Sequence, residues 1–94
     1  MIEIFLASIL FTRHPETTPS VPPPPPAYDY PFPGRIYAIW MPPSQIGHYC
    51  PVYRVACLIR KTSEECYVAL NREYYEHRYD ILRHENGHCN NWKH

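Results

Sequence analysis

The sequence predicts an α+β domain, a short β-sheet packed on a C-terminal helix and preceded by a proline-rich extended segment. Three observations lead there. Eight of the twelve prolines fall within residues 18–33, and proline, with no N–H and a fixed φ, joins neither a helix nor a central strand. Two short β-branched and aromatic runs come next, RIYAIWM at residues 35–41 and CYVAL at residues 66–70, with the composition of strands. Residues 71–92 then contain no proline and one glycine, which leaves room for a helix.

Ninety-four residues make one small domain. A core of that size usually needs help from disulfides, a metal or a partner. Three regions are expected: an apolar N-terminal segment at 1–17, a proline-rich linker at 18–33 and the folded domain at 34–94. Residues 2–11 are apolar except for Glu3 and Ser8, too short a run to span a bilayer. A signal peptide wants a basic residue before its apolar run, and Arg13 lies after it. The run reads as a degenerate signal, with a β-strand or a docking helix as the alternative, and no transmembrane segment is expected. The linker should be polyproline II, about 3.1 Å per residue, and act as a spacer. Pro22 and Pro25 also form a PxxP, the spacing read by proline-binding domains.

Within the domain, the strand at 35–41 is bounded by Gly34 and Pro42, and residues 42–51 read as a loop. VYRVACLIR, residues 52–60, leans to a short helix. Val52, Val55, Ala56 and Ile59 recur at i, i+3, i+4 and i+7, and Pro51 suits a first turn, although the β-branched content favours a strand. KTSEE, residues 61–65, is a polar turn before the strand at 66–70. A helix is expected over about residues 80–90. Asn71 is able to cap an earlier start, and Asp80 to cap that one.

Net charge is zero, nine basic residues against nine acidic. With no basic patch or tail, nucleic acid is not an expected partner. The four cysteines are Cys50, Cys57, Cys66 and Cys89, with no CxxC pair, so a cysteine-rich structural zinc site is not expected. The even count favours two disulfides, with all three pairings open, and hence an exported, periplasmic or secreted protein. Four reduced thiols in the cytoplasm are the alternative.

The chemistry concentrates in HENGHCNNWKH, residues 84–94. On a helix, His88 lies about 40° and Glu85 about 100° around from His84. Two imidazoles can therefore converge on one ion with a carboxylate beside it, the HExxH arrangement of zinc hydrolases. Zinc needs a third protein ligand. His94 lies ten residues after His84, giving HExxHxxxxxH, the spacing of metzincin proteases. There a glycine turns the chain back, and Asn91, in that place here, tolerates the same left-handed conformation. His77 lies about 10.5 Å before His84 along a helix, and His48 sits on the expected loop. No residue follows His94 in the sequence, so a glutamate ligand on a later helix is not expected. Leu82, Cys89 and Trp92 form an adjacent apolar stripe, Cys89 as a core or disulfide residue and Trp92 as a packing anchor. Tyr74, Tyr75, Tyr79 and His77 are candidate oxyanion donors by proximity in sequence.

DILRHENGHCNNWKH, residues 80–94, resembles the active-site segment of a group of small zincin-like predicted metallopeptidases of bacteria and their phages. Their motif runs roughly LRHExGHCNGW followed shortly by His. CYVAL more loosely resembles their strand before the active helix. The resemblance implies a zincin-like fold, with His84, His88 and His94 as Zn2+ ligands and Glu85 as the general base acting on a peptide or protein substrate. Asn91 departs from the family's glycine, the spacing to the final His is shorter than in many relatives, and a metzincin Met-turn is absent. A non-catalytic binding module, stabilised by disulfides or metal, is the alternative.

Overall fold

The computed structural model describes residues 3–7, as backbone, and residues 21–94. The predicted strand at 35–41 is β2 (Arg35–Met41), and CYVAL lies within β4 (Glu65–Asn71), with β1 (Glu3–Ala7) and β3 (Ala56–Lys61) completing a four-stranded sheet in the order β1-β2-β4-β3. β2 and β4 are parallel neighbours, while β1 and β3 are antiparallel edges. The central pair is buried because helices cover both faces, as parallel pairs require. The fold is α+β.

Two sequence expectations are corrected between β2 and β4. Residues 42–51, read as a loop, hold α1 (Pro43–Tyr49). Pro42 and Pro43 sit at its N-cap and first turn, where a missing N–H costs nothing, and Ile46 is buried. Residues 52–60, read as a helix, give no helix, and β3 begins at Ala56. The apparent helical stripe does not share a buried face, since Val52 is 78% exposed and Ile59 38%. Ala56, Cys57 and Leu58 pair with β4 instead, and Arg60 and Lys61 continue the ladder after a register shift at Ile59. The polar turn at 61–65 holds as a tight connection, where the Thr62 hydroxyl oxygen accepts from the Glu64 and Glu65 amides.

Alternation along the strands makes two cores. Ile36, Ala38, Trp40, Cys66, Val68 and Leu70 face α2 (Arg78–Cys89) and meet Ile81, Leu82 and Cys89. Met41, Ala69 and Ile39 face α1 and meet Ile46 and Cys50. Each interface carries a disulfide. Cys50–Cys57 ties the end of α1 to β3, and Cys66–Cys89 ties β4 to α2, which resolves the three pairings left open. In the chain-entropy view the second, closing 23 residues, contributes about 3 kcal/mol.

The N-terminal apolar run supplies β1, paired with β2 from Glu3↔Trp40 to Ala7↔Ile36. The rest of the 1–17 segment, and the linker up to residue 20, lie outside the described residues. Residues 21–33 are extended, but they are not a free spacer. This strap runs along α2, with a short 3-10 turn at Pro26–Tyr28, and buries Val21, Pro24 and Phe32. Among the described residues, no helix is long and apolar enough to cross a membrane.

Candidate metal centre

Asn71 ends β4 and caps the next element. Its side-chain oxygen accepts from the Glu73 amide at 2.9 Å, starting a 3-10 helix, Arg72–His77, that leads into α2. The helix thus begins slightly earlier than predicted and places His84, Glu85 and His88 where their spacing requires. Its C-terminus is a Schellman turn. Asn91 has φ 76°, the Trp92 amide donates to the Gly87 carbonyl at 2.9 Å, and the Asn91 amide donates to the His88 carbonyl at 3.0 Å. The expected left-handed asparagine is therefore in place, and it swings His94 back over the helix.

The three imidazoles meet. His84 Nε2 lies 3.1 Å from His88 Nε2 and 3.3 Å from His94 Nε2, and His88 Nε2 lies 3.1 Å from His94 Nε2. Tetrahedral zinc with Zn–N of about 2.0–2.1 Å needs its ligand nitrogens about 3.3–3.4 Å apart, so the spacing suits such an ion. The tautomers agree with it. His84 Nδ1 faces the Pro22 carbonyl and His88 Nδ1 the Trp92 carbonyl, each at 2.6 Å. A carbonyl only accepts, so each Nδ1 carries the proton and each Nε2 presents a lone pair. Burial lowers the pKa of both, His84 to about 4, and keeps them neutral. Lone pairs in mutual contact repel unless a cation lies among them. His84, His88 and His94 are thus a group able to hold a metal ion.

Glu85 is 4% exposed, with Oε2 at 4.0 Å from His84 Nε2 and Oε1 buried without a hydrogen-bond partner. Burial raises its pKa to about 8. The group lies on a mostly apolar cleft of about 580 Å³ between the end of α2 and the segment running through residues 52–58. Tyr53 is 62% exposed, and its ring lies 6.1 Å from that of His94. Asn71 holds this wall, donating to the Val55 carbonyl with its amide and to the Arg54 carbonyl with its side chain, both at 2.9 Å. Arg54, Lys61 and Lys93 also line the cleft, and among the described residues its lining contains no carboxylate side chain besides Glu85.

Other expectations fall elsewhere. Tyr74, Tyr75, Tyr79 and His77 do not line the cleft. Tyr74 packs on the core and Tyr75 meets Trp40 edge-on. His48 lies on α1, against the other face of the sheet. Trp92 is an anchor, but for the imidazoles, stacked on His88 at 4.7 Å and 7°. Cys89 is disulfide-bonded. Tyr53 is not foreseen from the sequence, because its place depends on the pairing of β3 and on Cys50–Cys57, neither visible as a motif.

The strap covers the next stripe of α2. The Phe32 amide donates to Asn86 Oδ1 at 3.0 Å, and Asn86 Nδ2 donates to the Tyr30 carbonyl at 2.7 Å. Asn90 Nδ2 donates to the Tyr28 and Tyr30 carbonyls at 3.1 and 2.6 Å. Arg83 makes a two-point ion pair with Asp29. A Cβ on Gly87 would lie 2.6 Å from the Pro24 side chain and 3.0 Å from Trp92, so only glycine admits both.

No family model matches the chain, and no curated protein or solved structure matches it either.

Proposed function

We propose that this chain is a small zinc-dependent peptidase of zincin-like type, acting outside the reducing cytoplasm. The observation that carries the reading is the convergence of three imidazole Nε2 atoms, two of them held unprotonated by a carbonyl at Nδ1, beside the buried Glu85 side chain on an open cleft. Three histidines leave one position of a tetrahedral ion for chemistry, the pattern of catalytic rather than structural zinc. When bound, zinc supplies Lewis acidity toward a carbonyl oxygen and makes water acidic near neutral pH. Beside a cation held by the three imidazoles, Glu85 favours its carboxylate form, which then takes the proton of the attacking water and returns it to the leaving amine. Tyr53, at the mouth of the cleft, has a phenolic O–H to offer the developing oxyanion. Among the described residues, β3 is an edge of the sheet, suited to an extended peptide lying along it. The two disulfides fit an oxidising compartment.

The test is Glu85→Gln. The variant should bind zinc as the parent does and lose peptide hydrolysis by at least about a hundredfold, the lower range of general-base contributions. Zinc binding with equal turnover in parent and variant would leave a non-catalytic metal-stabilised module, and failure of the parent to bind zinc at micromolar concentration would remove the reading altogether.

A further inference from the structure

Four residues of the helix motif serve neither the imidazole group nor the sheet core directly, yet share one place. Arg83, Asn86, Gly87 and Asn90 recur at i, i+3, i+4 and i+7, a single stripe of α2 and its C-cap. Every one meets the strap: Arg83 takes Asp29, Asn86 takes Tyr30 and Phe32, Gly87 admits Pro24, and Asn90 takes Tyr28 and Tyr30. Asn86 is 1% exposed and its amide is used at both ends. Just upstream of these clamps the strap delivers the Pro22 carbonyl to His84 Nδ1 at 2.6 Å. A neutral imidazole chooses between two tautomers, and only the one protonated at Nδ1 presents Nε2 to a metal. That choice is made for His84 by the strap, not by a neighbour on α2.

We infer that the strap is a positioning part of the metal centre, that Asn86 and Asn90 act on His84 through it, and that strap docking and metal binding form one coupled equilibrium. The inference rests on the metal-binding reading of the three histidines, not on peptidase activity. Pro22 and Pro23 are exposed, and their rings stiffen the chain that carries the carbonyl. Coupling is reciprocal, so whatever factor docking adds to zinc affinity, zinc adds to docking.

The experiment compares the full chain with Asn90→Ala, which removes two clamp bonds, and with Pro22→Gly/Pro23→Gly, which loosens the strap while retaining the carbonyl and every α2 side chain. Zinc affinity is measured by competition with a chromophoric chelator, strap docking by amide hydrogen exchange of Tyr28, Asp29 and Phe32, whose amides are hydrogen-bonded in the docked strap, and the His84 tautomer by 15N NMR of the metal-free protein. Both variants should bind zinc about 10–100-fold more weakly, the usual cost of losing a partner behind a ligand. Strap exchange should speed up in both, and zinc should slow it in the parent by the matching factor. The His84 proton should sit on Nδ1 in the parent and redistribute in the variants. Faster strap exchange with zinc affinity unchanged would overturn the inference, as would a parent His84 protonated at Nε2. If Asn90→Ala does not fold, the double glycine variant carries the test. A parent that binds zinc but hydrolyses nothing leaves it standing while removing the peptidase reading. A parent that binds no zinc overturns the coupling, and the tautomer then reads the strap's effect on His84 alone.

Discussion

Glu85 and His84 stand side by side under opposite pressures of the same origin. Burial favours the neutral form of each, raising the carboxyl from its ordinary 4.5 to about 8 and lowering the imidazole from 6.5 to about 4. The signs differ in the metal-free protein. The raised Glu85 contributes stability that is present below about 4.5 and lost as pH rises through about 8. The depressed His84 contributes stability that is present above about 6.5 and lost as pH falls through about 4. Denaturant midpoints of the metal-free chain should therefore be flattest between pH 4.5 and 6.5 and fall on both sides. Glu85→Gln should abolish the fall on the alkaline side and leave the acid side alone. A midpoint that still drops between pH 6.5 and 8 in that variant would contradict this origin. His84, Glu85 and His88 were legible because a helix is a local rule, and a few consecutive residues contain all of its information. The carbonyls behind the rings were not. Pro22 lies 62 residues from His84 in sequence, and no spacing announces it.

At the scale of elements, the turn after α2 has most to decide. Asn91 adopts φ 76°, which asparagine tolerates and β-branched residues resist by about 1–2 kcal/mol. Asn91→Gly should retain zinc affinity and gain slightly in stability, whereas Asn91→Val should lose roughly that energy and bind zinc more weakly, because the turn sets the reach of His94. Equal zinc affinity in the two variants would show that His94 finds the metal without the turn. This element was readable in advance from residue type alone. The strand at β3 was not, since over five to nine residues an apolar run satisfies helical and strand periods alike, and only pairing with β4 breaks the tie. The strap was misread for a related reason. Polyproline II has no internal hydrogen bonds, so composition reports its conformation and is silent on what it docks against. Its partners Asn86 and Asn90 lie 54 to 62 residues away.

For the molecule as a whole, three layers and two disulfides hold the small fold together, and the three histidines form a group able to hold a metal ion. Ligand that binds only the folded state adds to its stability, by about 2.7 kcal/mol at one hundred times the dissociation constant. In a domain this small, that corresponds to roughly 10–20 °C in Tm. Chelation should remove the increment, and His94→Ala should remove most of it. An unchanged Tm on zinc addition would show that no folded-state site exists. The charge pattern of the cleft bears on what enters it. Arg54, Lys61 and Lys93 stand on an apolar lining, so under the proposed peptidase function peptides with acidic side chains flanking an apolar stretch should be cleaved faster than basic counterparts. Their advantage should shrink as salt screens the rim. A preference for basic peptides would refute that. The complete pairing of the cysteines also bears on the order of biosynthesis. A reduced, unfolded copy of this chain offers four thiols as soft ligands, and thiolates compete strongly for zinc. Once Cys50–Cys57 and Cys66–Cys89 have formed, no thiol in the chain remains to capture the ion. Oxidation before metallation therefore protects against loading at the wrong address, and folding the reduced chain in excess zinc should trap mismetallated species that the oxidised chain avoids.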